Sequence, residues 1–153
     1  MKIENLDLYY EDVEVGDEFV TATRTISESD VMLFAGLTGD NNELHTSASF
    51  AQETSHGQRI AHGLLTLAMA NGLYTRLNYF SKSMMSNLEI RDWKFKKVVK
   101  LGDTIHVRMV LAEKHLTSNN ERGIFNWHVD VFNQKNEIVA TGTWIKMIAN
   151  KQN

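Results

Sequence analysis

Residues 61–79 read AHGLLTLAMANGLYTRLNY, and the remainder of the chain has to be folded around them. Leu64, Leu65, Leu67, Ala68, Met69, Ala70, Leu73, Tyr74 and Leu77 cover almost every side of a helix over this stretch. A helix without a polar face is buried on most of its sides. His62, Gly63, Thr66, Asn71, Gly72, Thr75 and Arg76 interrupt the run, so it falls short of the ~20 predominantly apolar residues that cross a bilayer. It is a core helix, and other elements must cover it.

The covering material lies downstream, where the pattern changes to period two. Trp93 and Phe95 share one face of a strand, and Ile105, Val107, Met109 and Leu111 share one face of the next. Phe125, Trp127, Val129 and Val131 face inward while Asn126, His128 and Asp130 face outward. Val139, Thr141, Thr143, Ile145 and Met147 make a fourth segment. Turns are expected at Gly102-Asp103, at Ser118-Asn119-Asn120 and at Lys135-Asn136.

Upstream, Glu18–Ile26 is rich in β-branched residues after a Gly16-Asp17 turn and reads as a strand. Ser27-Glu28-Ser29-Asp30 has the form of a capping box. It opens a short helix through Val31, Phe34, Ala35 and Thr38 that Gly36 and Gly39 close. Residues 40–59 are polar and aperiodic, a long structured loop of the kind that carries function. No repeat, linker or composition break divides residues 1–153, so one domain is expected. Its class is α+β, an antiparallel sheet wrapped around a long central helix.

Composition narrows the function. With 153 residues, 42% hydrophobic and 23% charged, the chain has an ordinary globular balance. It has no cysteine, which removes disulfides, thiolate metal sites and thiol nucleophiles. The net charge of −3 argues against general nucleic-acid binding. A local anionic partner stays open, because residues 91–114 hold seven basic and three acidic side chains. Residues 1–7 show no basic-then-apolar targeting pattern, so a cytoplasmic protein without a membrane partner is expected.

The chemistry-bearing residues are Thr38-Gly39-Asp40-Asn41-Asn42-Glu43-Leu44-His45 and Arg59-Ile60-Ala61-His62-Gly63-Leu64-Leu65. Asp40 and His45 can converge in one loop, where a carboxylate and an imidazole hold a water and exchange protons with it. The plainer account is a capped turn. His62-Gly63 opens the buried helix, whose first N–H groups suit an oxygen that becomes negative in a transition state. The plainer account there is a helix cap and a glycine that relieves crowding. Asp40, His45 and His62 also have the composition of a two-histidine, one-carboxylate metal set, but no metal is expected. Lys94, Lys96, Lys97 and Lys100 could grip phosphates or form a solvated face. His56, His106, His115 and His128 read as surface residues, and the methionines and tryptophans as core.

Together these motifs resemble the MaoC-like dehydratase family, which includes (R)-specific enoyl-CoA hydratases. The family signature runs Gly-Asp-x-Asn-Pro-Leu-His, an Asp two residues on, an aromatic-Ala pair, then Ile-Ala-His-Gly. Gly39, Asp40, Asn42, Leu44, His45, Phe50, Ala51, Ile60, Ala61, His62 and Gly63 fall in register with it. Tyr10–Asp17 looks like the family's opening and Trp93–Asp103 like its third segment. Glu43 stands where the family has proline, and Ser47 where it has aspartate.

The resemblance implies a hot-dog fold and the reversible hydration of a 2-enoyl thioester to the (R)-3-hydroxyacyl thioester. It assigns Asp40 and His45 to catalysis, Gly63 and His62 to the thioester oxygen, and Asn42 to support. No cofactor is implied, because CoA or a carrier pantetheine is only the substrate's handle. It also implies a homodimer or higher homo-oligomer, expected here to pair through the strand bearing Phe125, Trp127 and Val129. Tyr74 or Leu77 would then enter a shared acyl pocket. Two rivals remain. A hot-dog thioesterase commonly carries a carboxylate on or beside the central helix, and residues 61–80 contain neither Asp nor Glu. The other is a non-catalytic acyl-CoA-binding protein.

Overall fold

A computed structural model of the chain describes residues 6–151. Most of the stretch read for a targeting pattern, residues 1–5, lies outside the described residues. Apolar residues at helical spacing form a helix over Gly63–Thr75, here α4. It is preceded by α1 (Glu28–Thr38), α2 (Glu43–Thr46) and α3 (Ala48–Gln52). The strands are β1 (Glu18–Val20), β2 (Arg24–Thr25), β3 (Met84–Phe95), β4 (Thr104–Leu116), β5 (Arg122–Phe132) and β6 (Ile138–Ala149). The sheet is antiparallel, in the order β1-β4-β5-β6-β3, with β2 also paired to β4. This is the expected hot-dog arrangement.

The core lies between α4 and the sheet. Leu65, Met69, Ala70, Leu73 and Tyr74 of α4 pack on Ile105, Val107, Met109 and Leu111 of β4 and on Phe125, Trp127, Val129 and Val131 of β5. The period-two assignment of β4 and β5 is therefore observed, although Asp130 is also buried, on the outer face, where Thr141 donates to it at 2.7 Å. α4 is shorter than the expected 61–79 because the chain turns out at Asn78, whose φ is 61°. It is also buried on one side only: Leu64 is 63% exposed and Ala68 is exposed.

Local chemistry sets the remaining boundaries. Ser27 accepts from the Asp30 N–H and Asp30 returns a bond to the Ser27 N–H, completing the capping box of α1. The three expected turns carry Gly102, Asn120 and Asn136 in the left-handed region. The expected strand over Glu18–Ile26 is broken into β1 and β2, and residues 40–59 contain two short helices instead of loop alone. Trp127, Trp144, Met69 and Met109 are core, but Met32 and Met85 are exposed.

Two corrections bear on function. The strand expected to pair with a second copy, β5, is central, and the long free edge belongs to β3, which among the described residues is paired only to β6. In β6 the inward face is the even set, not the odd one. Phe125, Trp127, Val129 and Val131 stand opposite Lys146, Trp144, Gly142 and Ala140, and residues directly opposite in an antiparallel pair share a face. Alternation alone cannot choose between the faces, because Val139 and Ile145 are apolar and also covered.

Lys146 is thereby turned inward and left only 2% exposed. Its ammonium donates to Asn71 Oδ1 at 3.0 Å and Asn87 Oδ1 at 2.5 Å. It lies 4.4 Å from the Tyr74 ring centroid and 5.0 Å from that of Trp144. Burial lowers its pKa to about 8. Among the described residues no helix is long and apolar enough to cross a membrane.

Because the folded-state pKa of Lys146 lies below that of an unfolded lysine, the folded protein binds fewer protons between about pH 8 and 10.5 and gains stability as the pH rises through that window. Urea unfolding at pH 7 and pH 10 is expected to show the wild type gaining on the order of 2 kcal/mol relative to Lys146→Met. A difference between the two proteins that ignores pH would restore an ordinary lysine.

Candidate active site

The loop after α1 is built to present two side chains. α1 ends at Gly39, left-handed at φ 79°, whose N–H bonds back to the Ala35 carbonyl. The Thr38 hydroxyl donates to the Phe34 carbonyl at 2.7 Å and accepts the Asp40 N–H at 3.2 Å. One Asp40 carboxylate oxygen accepts from the Asn42 N–H at 3.4 Å. Asn42 in turn caps α2, accepting from the Leu44 N–H at 2.9 Å. Asn42 thus starts the turn of helix that carries His45.

The two departures from the family signature have local explanations. Glu43 is the exposed first residue of α2, a position where proline is favoured but not required. Ser47 closes α2 and caps α3, accepting from the Phe50 N–H at 3.3 Å.

Long-range bonds bring the second motif to the first. Ile60 donates to the Leu44 carbonyl at 3.3 Å, and Ala61 donates to the Val99 carbonyl at 2.7 Å. Arg59 pairs with Glu28 of α1 at 2.7 Å. The half-buried His45 places Nδ1 at 2.8 Å from the Ile60 carbonyl. A carbonyl only accepts, so Nδ1 carries a hydrogen, and in the neutral ring Nε2 then presents the lone pair.

His62, 2% exposed, places Nε2 at 3.0 Å from the Asp40 backbone carbonyl. Its ring stacks on His45 with centroids 3.8 Å apart and meets Phe34 in a tilted contact at 4.9 Å. It is the residue before α4 but makes no side-chain cap, and of the three side chains Asp40, His45 and His62 only His45 lines the adjoining cleft. The His62 ring braces the site, holding the Asp40 backbone over His45.

Ligating atoms of Asp40, His45 and His62 lie within 4.8 Å of one another, a set that could hold a cation. Each ring already commits one nitrogen to a backbone carbonyl, His45 Nδ1 to Ile60 and His62 Nε2 to Asp40, which leaves one nitrogen per ring to offer.

A cleft of about 410 Å³ opens beside His45, bounded by Gly63 and Leu64 of α4, Phe95 of β3, and Lys96 and Lys97. Gly63 begins α4, where backbone N–H groups have no intrahelical acceptor and meet the positive end of the helix dipole. A Cβ at Gly63 would stand 2.9 Å from the Phe95 ring, so glycine keeps the cleft wall close to that backbone. Phe95 was legible only as a strand residue, because nothing local says that β3 returns to the start of α4.

Of the four lysines considered, Lys96 and Lys97 reach the cleft, and Lys97 also pairs with Glu137. His106 stacks on Phe132 and His128 lies 3.3 Å from Asp130, both away from the cleft.

Residues 12–131 match the family profile of the MaoC-like domain. The chain is 39% identical over 112 residues to the 3-hydroxybutyryl-CoA dehydratase of Methylorubrum extorquens, covering 69% of this chain and 65% of that protein. It is 39% identical over 103 residues to the (R)-specific enoyl-CoA hydratase of Rhodospirillum rubrum, covering 63% and 65%. The chain spans from 36% to 65% of the length of these and a third curated relative. Among solved structures, a monoamine oxidase regulatory protein from Archaeoglobus fulgius superposes with a TM-score of 0.88 at 32% identity, over 95% of this chain and 96% of that one.

The bracing role of His62 has a measurable consequence. His62→Ala empties a buried, stacked position and should lower the unfolding free energy by about 2–4 kcal/mol. Asp40→Ala, at an exposed side chain, should change it by less than about 1 kcal/mol. Chemical denaturation of the two variants measures both, and equal losses would refute the difference in role.

Proposed function

Because this chain belongs to the MaoC-like dehydratase family, we propose that it is a hydro-lyase that reversibly hydrates a 2-enoyl thioester to the (R)-3-hydroxyacyl thioester. The observation that carries the reading is the bond from His45 Nδ1 to the Ile60 carbonyl. It fixes the Nδ1 hydrogen on that carbonyl and leaves Nε2 for the reaction, beside the Asp40 carboxylate and at the wall of a cleft that also holds the start of α4.

In the proposed reaction Asp40 and His45 hold one water between them. They take a proton from it as oxygen adds to C3, and a proton is delivered to C2. The electron pair passes through an enolate-like state, and the Gly63 N–H stabilises the thioester oxygen where charge collects. Asn42 and His62 act through backbone, by starting α2 and by holding the Asp40 carbonyl. The acyl group is carried on CoA or a carrier pantetheine, and Lys96 and Lys97 at the cleft supply charge suited to phosphate. The names of the two dehydratase and hydratase relatives support this substrate class.

Asp40→Asn and His45→Gln should each slow hydration of crotonyl-CoA by at least about 10²-fold. Chiral analysis should find the (R)-3-hydroxyacyl product, and a thiol assay should find no free CoA. Rapid CoA release without water addition would favour the thioesterase rival, against which α4 offers no Asp or Glu. Binding without turnover would favour the non-catalytic one.

We also infer a homodimer, built along β3. This strand of 12 residues has one free edge, and Met85, Leu88 and Ile90 on it are about half exposed. Leu64 and Ala68 on the uncovered side of α4 are also exposed. Proteins seldom leave a long edge of this kind open, and two-fold pairing is the commonest way to close one. Light scattering with size exclusion is expected to give at least twice 17.5 kDa. The double variant Leu88→Lys, Ile90→Lys should shift the mass toward one chain, and an unchanged mass would move the interface elsewhere.

A further inference from the structure

Resting on the hydratase reading, we propose that Lys146 selects the far end of the acyl group, favouring 2-enoyl thioesters that carry a carboxylate at the end remote from the thioester. Among the described residues Lys146 has no ion-pair partner. Lys146 sits on the inward face of β6, where its even-numbered companions are Ala140, Gly142, Trp144 and Ile148. Its two side-chain acceptors, Asn71 and Asn87, are neutral amides. The rings of Tyr74 and Trp144 offer only their faces. A buried ammonium is strongly unfavourable without a counter-charge. Its lowered pKa of about 8 still leaves it cationic at neutral pH.

That charge heads a cavity. About 260 Å³ of space lies between α4 and the strands β3 and β6, walled by Leu64, Leu67, Ile90 and Trp144, with Asn71, Asn87 and Lys146 as its polar end. Glu89 also lines it, but both oxygens of that carboxylate are held by Arg91 at 2.9 Å. An apolar passage closed by one cation and two amides has the form of a site for an alkyl chain ending in an anion.

The passage runs along the helix that starts the proposed oxyanion site. Leu64 walls both the cleft beside His45 and the Lys146 cavity, so the two spaces meet at one side chain. Gly63 and Asn71 are eight residues apart on α4, about 12 Å of helix rise. This is the span of a medium-length extended acyl chain with its thioester at Gly63. Pairing along β3 would close the cavity's open side, because Asn87, Glu89 and Ile90 belong to that strand.

The test is a ratio within each protein, so loss of active fraction cancels. The kcat/KM for trans-2-decenedioyl-CoA is divided by that for trans-2-decenoyl-CoA, in the wild type and in Lys146→Met. The ratio is expected to fall at least about tenfold in the variant, mainly through KM of the dicarboxylic substrate, the scale of one charged hydrogen bond. Lys146→Gln, which keeps a donor for the asparagines, should lose the preference too, and serves if the methionine variant does not fold. Lys146→Arg should keep part of it. An unchanged ratio in the methionine and glutamine variants overturns the proposal.

If the wild type hydrates neither substrate, the hydratase reading fails instead. Calorimetric titration of the matching saturated acyl-CoAs then decides the Lys146 role separately. The same tenfold loss of binding for the dicarboxylic ligand alone supports it, and equal losses for both ligands overturn it.

Discussion

The structure depends on covering one apolar helix. α4 has almost no polar side, so the chain gains most by laying a curved antiparallel sheet against it, and β4 and β5 supply eight inward residues with no exposure at all. One sheet covers only one side of a helix. Leu64 and Ala68 are left outside, next to a free edge strand. The same constraint explains both the buried core and the surface on which a second copy is proposed to sit.

The candidate site follows from where that helix begins. A helix packed this tightly presents its N-terminal N–H groups at a fixed place, and the loop before it must reach that place from α1. His62 joins the two: its backbone leads into α4 while its ring holds the Asp40 carbonyl and lies under His45. The placement of Asp40 against His45 therefore rests on a buried side chain. Asp40 itself can stay exposed, because its place is set through backbone.

Much of this was legible from residues alone, for physical reasons. The capping box at Ser27, the left-handed turns at Gly102, Asn120 and Asn136, and the inward faces of β4 and β5 all follow from local rules, each involving a few neighbouring residues. The Asp40, His45 and His62-Gly63 motifs could be found because their spacing is distinctive. What stayed hidden depended on partners distant in the chain. Phe95 reaches Gly63 from β3, and His62 turns toward Asp40 and not toward the cleft.

By itself, then, the amino-acid order determined the fold class, the core helix, most turns and the family motifs at Asp40, His45 and His62-Gly63. Tertiary structure alone decided the face of β6, the identity of the free edge and the burial of Lys146. The physical reason is that a strand of alternating small and apolar residues such as Val139–Ile148 satisfies period two in either register. Only the pairing of Trp144 against Trp127 and Lys146 against Phe125 selects the register that buries a charge, and no local energy in β6 would have chosen it.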